Sequence, residues 1–110
     1  MKLTLDVENT VTHRDGKLHL DPFEASNKLV MVGCLTDKGE EYLFRDNFDG
    51  VQKLLDDATI LIGHNIVHDL LWLWECGFTY NGSVFDTMLG EYVLRHVLFD
   101  MTSILKSKIQ

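Results

Sequence analysis

The stretch from Thr59 to Gly77 constrains the fold more than any other part of the chain. Thr59-Ile60-Leu61-Ile62-Gly63 is rich in β-branched and aliphatic side chains and too short for a helix, so it reads as a buried strand. Asn65 then stands where an N-cap belongs, and Ile66 to Cys76 form a helix apolar almost all round until Gly77 stops it as the C′ residue. A helix of that kind has to be packed on several sides. Strand, turn and packed helix together call for a sheet with helices laid against it, joined by a crossover between parallel strands.

The flanking segments extend the pattern. Leu3-Thr4-Leu5-Asp6-Val7 alternates apolar and polar residues and reads as a first strand ending near Glu8. From Asn9 to Lys28 the chain is a polar excursion punctuated by Gly16 and Pro22, with a minor edge hairpin at Lys17-Leu18-His19-Leu20-Asp21. Leu29 to Leu35 is a nearly continuous apolar run suited to a central strand, and Asp37-Lys38-Gly39 turns it into an antiparallel partner at Glu41–Phe44. Phe48, Val51, Leu54 and Leu55 recur at helical spacing. Ser83-Val84-Phe85-Asp86 is a short last strand, and Met88, Leu89, Tyr92 and Val93 are expected to dock the following helix on the sheet. Asp100-Met101-Thr102-Ser103-Ile104-Leu105 caps and begins a further helix. The order is that of an α/β fold: a mixed sheet, antiparallel in its first three strands and parallel in its fourth and fifth, flanked by helices. It resembles the ribonuclease-H-like fold.

A chain of 110 residues with 45% hydrophobic and 25% charged side chains supports one core. No apolar run reaches the roughly 18 residues of a membrane span, and the start Met1-Lys2-Leu3-Thr4-Leu5-Asp6 lacks a signal peptide's apolar stretch, so a cytoplasmic protein with no membrane partner is expected. Cys34 and Cys76 belong to no C-x-x-C pair and read as reduced, partly buried thiols. A formal net charge of −7 argues against binding nucleic acid through a basic surface. It leaves room for a nuclease that meets phosphate through divalent ions, because such a site must first carry acidic ligands.

Asp6 and Glu8 lie two apart at a strand end, so their side chains share a face and can reach one point. Alone, such a pair is ordinarily a solvated strand end. Asp69 falls on the first turn of the apolar helix, where a carboxylate is as often a simple partner of the helix dipole. The ends of the first and fourth strands, if adjacent and parallel, place Asp6, Glu8 and Asp69 on a common rim. Three carboxylates there repel one another, and without metal some are expected to be protonated or splayed apart. His64 and His68 form an H-x-x-x-H pair, but the zinc-protease form needs Glu where Asn65 stands and a third ligand. Trp72 and Trp74 on the apolar helix read as core rather than stacking platforms, His96 as a surface residue, and Asp86 as an organiser of the turn after the last strand.

Leu5-Asp6-Val7-Glu8-Asn9-Thr10 resembles the first exonuclease motif of the DEDD superfamily, and Gly63-His64-Asn65-Ile66-Val67-His68-Asp69-Leu70 the second. Phe85-Asp86-Thr87-Met88-Leu89-Gly90-Glu91-Tyr92-Val93-Leu94 is similar to the segment that follows in the proofreading domain of bacterial and phage family A DNA polymerases. The match covers most of the chain outside residues 11–28, and three motifs in order are far more specific than one.

The resemblance implies two-metal hydrolysis of the 3′-terminal phosphodiester of single-stranded DNA, in a bacterial or phage-infected cell. It implies that Asp6, Glu8 and Asp69 bind two divalent cations, Mg²⁺ or Mn²⁺, and that Asn65 and Thr10 contact the terminal nucleotide. The family also has a fourth carboxylate and a general base on a later helix reading Tyr-x-x-x-Asp or His-x-x-x-x-Asp. His96 and Asp100, four apart, fit neither form. Residues 1–110 therefore resemble a single partial domain lacking the third motif, expected to act with a polymerase domain or separate subunit and to turn over weakly or not at all alone. The alternative is a non-catalytic remnant of the same fold that binds nucleic acid or a polymerase.

Overall fold

In the computed structural model, which describes residues 1–96, the strand β1 (Lys2–Asn9) forms the centre of a five-stranded sheet. Its alternating pattern buries Leu3, Leu5 and Val7 on one face and leaves Thr4, Asp6 and Glu8 on the other. Two short strands, β2 (Thr12–Arg14) and β3 (Lys17–His19), make a separate hairpin in the excursion. Then β4 (Leu29–Thr36) pairs antiparallel with β1, and β5 (Glu41–Phe44) antiparallel with β4. Helix α1 (Val51–Asp57) leads to β6 (Ile60–Gly63), parallel to β1, and helix α2 (Ile66–Glu75) leads to β7 (Ser83–Asp86), parallel to β6. A helix over residues 87–96, α3, follows.

The sheet order is β5-β4-β1-β6-β7. Chain reversals on one side and crossovers on the other give the mixed α/β architecture of a ribonuclease-H-like fold, as the pattern of short apolar runs predicts. The core lies between one sheet face and the two helices: Leu3, Leu5, Val32 and Leu61 meet Val51 and Leu55 of α1 and Ile66, Trp72 and Leu73 of α2. Each fully buried aliphatic side chain there contributes about 1.5–3 kcal/mol relative to exposure. On the opposite face Leu35, Leu43 and Phe85 remain in solvent.

Helix α2 ends as expected. Gly77 takes a positive φ of 94°, its N–H donates to the Trp74 carbonyl at 2.9 Å, and the Phe78 N–H donates to the Leu73 carbonyl at 2.9 Å, which closes a Schellman motif. Its start differs from the expectation. Asn65 occupies the N-cap position in a left-handed conformation, φ 56°, and its side chain makes no capping bond.

The polar excursion is more ordered than its composition suggests. The buried Asn27 amide accepts from the Thr12 hydroxyl at 2.6 Å and donates to the His19 and Asp21 carbonyls at 3.0 Å each. Trp72 Nε1 donates to the Leu20 carbonyl at 3.1 Å, tying the excursion to α2.

Three other expectations are corrected. Met88, Leu89, Tyr92 and Val93 of α3 are exposed rather than docked, because nothing among the described residues covers that side of the helix. Trp74 is 69% exposed while Trp72 is buried, since only the latter faces the sheet. Cys34 is buried and its thiol is pushed up to about 11 by that burial, whereas Cys76 is exposed; both are free. The Asp100–Leu105 helix start lies outside the described residues. No described helix is long and apolar enough to cross a membrane.

Candidate functional site

The site forms where β1 and β6 part. Their parallel pairing covers only Lys2–Thr4 of β1, so from Leu5 onward the β6-facing edge of β1 is open, and the first turn of α2 fills the gap. Gly63 makes this entry possible. A Cβ at that position would stand 2.6 Å from the buried Ile66 side chain and 3.1 Å from the Leu5 carbonyl oxygen.

Asp69, on that first turn, is 96% shielded from solvent, with a relative exposure of 4%. Its Oδ2 has no hydrogen-bond partner. Burial pushes its carboxyl up to about 7; the neighbouring Asp6 carboxylate and, less strongly, Asp86 push the same way, against the Val7 backbone N–H. A buried carboxyl with one oxygen unpartnered and a second carboxylate near enough to disfavour its ionisation is an uncompensated acidic pair.

Asp6 and Glu8 both project from the exposed face of β1, as their spacing of two requires. Asp6 is the one coupled to Asp69; Glu8 is not among the groups that perturb it. A register shift between Glu8 and Asn9 marks a bulge in the β1–β4 pairing. Such a bulge re-aims the side chains around it. Asn9 turns into a lock: its amide donates to the Thr10 and Leu20 carbonyls, at 2.8 and 3.1 Å, and its Oδ1 lies 3.0 Å from His68 Nε2. Because that Oδ1 can only accept, His68 must donate from Nε2.

His64 has a different partner, the Thr87 hydroxyl at 3.1 Å from Nδ1. The two histidines are therefore held apart by separate bonds and do not form a zinc pair. The Thr10 hydroxyl accepts the Lys28 N–H at 2.7 Å, so it closes the base of the excursion. Asn65 is exposed beside the rim.

Asp86 holds the turn, as expected of it, and does more. Its Oδ1 accepts the N–H groups of both Asn65 and Met88 at 2.9 Å. Partial burial pulls its carboxyl upward, but the backbone N–H groups of Asn65, Met88, Ile66 and Leu89 outweigh this and hold it below the usual carboxylate range. It thus caps α3 locally and α2 from across the sheet. The Asp-Thr pair before an apolar helix signals the first of these roles in sequence; the second needs the β6–β7 pairing.

Among the described residues no three His, Cys, Asp or Glu side chains stand close enough together to hold one ion. Carboxylate oxygens are the donors a hard divalent cation takes, and the unpartnered Asp69 Oδ2 near Asp6 is the oxygen free to serve as one.

No protein-family model matches the chain, and no curated protein matches it. Among solved structures it is similar to the family B DNA polymerase from the hyperthermophilic archaeon Pyrobaculum calidifontis, with a TM-score of 0.49 and 23% identity. That similarity covers 67% of this chain and 10% of the polymerase chain, so the protein spans about a tenth of its neighbour's length. That neighbour belongs to family B, whereas the motif resemblance is to family A.

Proposed function

We propose that this chain carries the acidic rim of a 3′-5′ exonuclease domain of the DNA-polymerase type, family A by its motifs, acting on the 3′ end of single-stranded DNA. The observation that carries the reading is Asp69: a buried carboxylate with a free oxygen, set against Asp6 at the opening between β1 and β6. In this reading Asp6, Glu8 and Asp69 hold two divalent cations, Mg²⁺ or Mn²⁺. When bound, such ions supply an activated water and stabilise the leaving oxygen of a phosphodiester. The protein's own part is to gather the negative charge on a rigid strand and a rigid helix turn and to keep water from Asp69. In this reading Asn65, which is exposed, and Thr10 contact the terminal nucleotide; the Thr10 hydroxyl keeps a proton to donate while it accepts from the Lys28 N–H.

A second reading, a non-catalytic member of the same fold that binds nucleic acid or a polymerase, is favoured by the lack of a three-donor cluster among the described residues. Metal linkage separates the two. Ten millimolar Mg²⁺ or Mn²⁺, at a dissociation constant near 1 mM, raises stability by about 1.4 kcal/mol. For a domain of this size that is a rise of about 5–10 °C in Tm. The rise is expected in the wild type and not in Asp6→Ala, and an equal rise in both would sink the exonuclease reading. Mn²⁺-dependent shortening of a 5′-labelled single strand then reports whether the chain cuts.

A further inference from the structure

We infer that Asp86 and Thr87 are the positioning pair of this site, holding the Gly63–Asn65 turn in the backbone shape that aims Asp69 at Asp6. The inference rests on the metal-rim reading and deepens it.

Three consecutive residues of the turn are tied to the pair. The Thr87 hydroxyl donates to the Gly63 carbonyl at 3.3 Å. Its proton being spent there, the hydroxyl oxygen faces His64 Nδ1 at 3.1 Å as an acceptor, so the histidine donates. The Asn65 N–H donates to Asp86 Oδ1 at 2.9 Å. The last bond falls on a residue in an uncommon backbone shape: Asn65 has a φ of 56°, in the left-handed region that few non-glycine residues other than Asn and Asp enter. With no side-chain cap of its own, α2 begins where Asp86 fixes it. Asp69 comes four residues after Asn65, about one helical turn, so any rotation of that first turn swings its carboxylate along the β1 edge.

Asp86 is acidic and near the rim, which makes a metal ligand the obvious rival role. Its bonding speaks against that: Oδ1 accepts the N–H groups of Asn65 and Met88, and the N–H groups of Ile66 and Leu89 bond the same carboxylate. A ligand needs its charge, whereas a clamp needs only an acceptor. Asp86→Asn keeps the acceptor and removes the charge, so it tells the two apart.

The test is Mn²⁺ affinity of the whole protein, measured by water proton relaxation, for the wild type, Asp6→Ala, Asp86→Ala, Asp86→Asn and Thr87→Val, with folding checked by circular dichroism. Loss of an orienting partner is expected to weaken Mn²⁺ binding about tenfold in Asp86→Ala. Asp86→Asn is expected to stay close to the wild type, and Thr87→Val, which keeps the side chain's shape, to fall between them. Thr87→Val carries the test if Asp86→Ala does not fold. Wild-type affinity in the folded clamp variants overturns the inference, and so does an Asp86→Asn as weak as Asp86→Ala, which would make Asp86 a ligand. If the wild type shows no Mn²⁺ binding that Asp6→Ala abolishes, the metal-rim reading fails and the inference falls with it, a result distinct from both of these.

Discussion

Asp69 and Asp86 share one rim and have opposite surroundings. Asp69 is buried with one oxygen unpartnered, and burial and its acidic neighbours hold its carboxyl up at about 7. Asp86 sits among the N–H groups of Asn65, Met88, Ile66 and Leu89 and stands below the ordinary range despite the burial that works against it. The contrast shows that acidic residues in a cleft are not interchangeable charges. What matters is how many donors face each one: a carboxylate whose lone pairs are spent is part of the scaffold, and one with a lone pair to spare is available to a cation.

The largest way to break this contrast is Asp86→Ala. It uncaps two helices at once, and with each cap worth about 0.5–2 kcal/mol the expected loss is about 3 kcal/mol, read as a lower midpoint in urea at constant slope. A loss below about 0.5 kcal/mol would show that the cross-sheet cap on α2 is idle. Next comes Gly63→Ala, which leaves both aspartates intact and disturbs the turn between them. Its Cβ would crowd Ile66 and the Leu5 carbonyl, so a cost of about 2 kcal/mol is expected by urea denaturation, and none if the turn can move aside.

Asp69→Asn should change stability in the other direction. An aspartate in the unfolded chain releases its proton near 3.8, while Asp69 in the fold keeps it up to about 7. Below the first value both states are protonated and the residue costs nothing. Between the two the fold holds a proton the unfolded chain has lost, so each step up in pH lowers stability, and above about 7 the full cost is present. In chelator, wild-type stability should therefore fall from pH 4 to 7 and then level off. Asp69→Asn should flatten that slope and gain about 1–2 kcal/mol at pH 8. A parallel pH profile for the two proteins would remove Asp69 from the account.

Much of this was legible in the sequence, for a physical reason that varies along the chain. The strand at Leu3–Val7 was readable because its alternation records which face is buried, and the one at Leu29–Leu35 because a nearly continuous apolar run marks a central strand. Spacing and strand order put Asp6 near Asp69, and the two are coupled in the fold; Glu8, expected on the same rim, is not among the groups that perturb Asp69. Periodicity also misled. It shows that Met88, Leu89, Tyr92 and Val93 want a partner, not where one is, and in the described residues they stay in solvent. Trp74 failed likewise: a helix apolar all round does not say which tryptophan faces the sheet. The left-handed Asn65, the Asn9–His68 lock and the cross-sheet cap from Asp86 were hidden because each joins residues that only the folded sheet brings together.

The smallest expected effect, on stability, is Asp86→Asn, and it sharpens the comparison most. The substitution keeps an Oδ1 that can accept from Asn65 and Met88, so both caps survive in form. What it removes is a charge near two helix N-termini, worth about 0.3–1 kcal/mol each at low salt, and it also removes a carboxylate that raises the cost of ionising Asp69. These effects oppose each other above pH 7 and not at pH 5, where Asp69 is protonated either way and Asp86 is charged in both the folded and the unfolded chain. Asp86→Asn should therefore be destabilised by about 1 kcal/mol at pH 5 in low salt, and by less at pH 8. A larger loss at pH 8 than at pH 5 would mean that the two aspartates do not sense each other, and the rim would then be two separate sites.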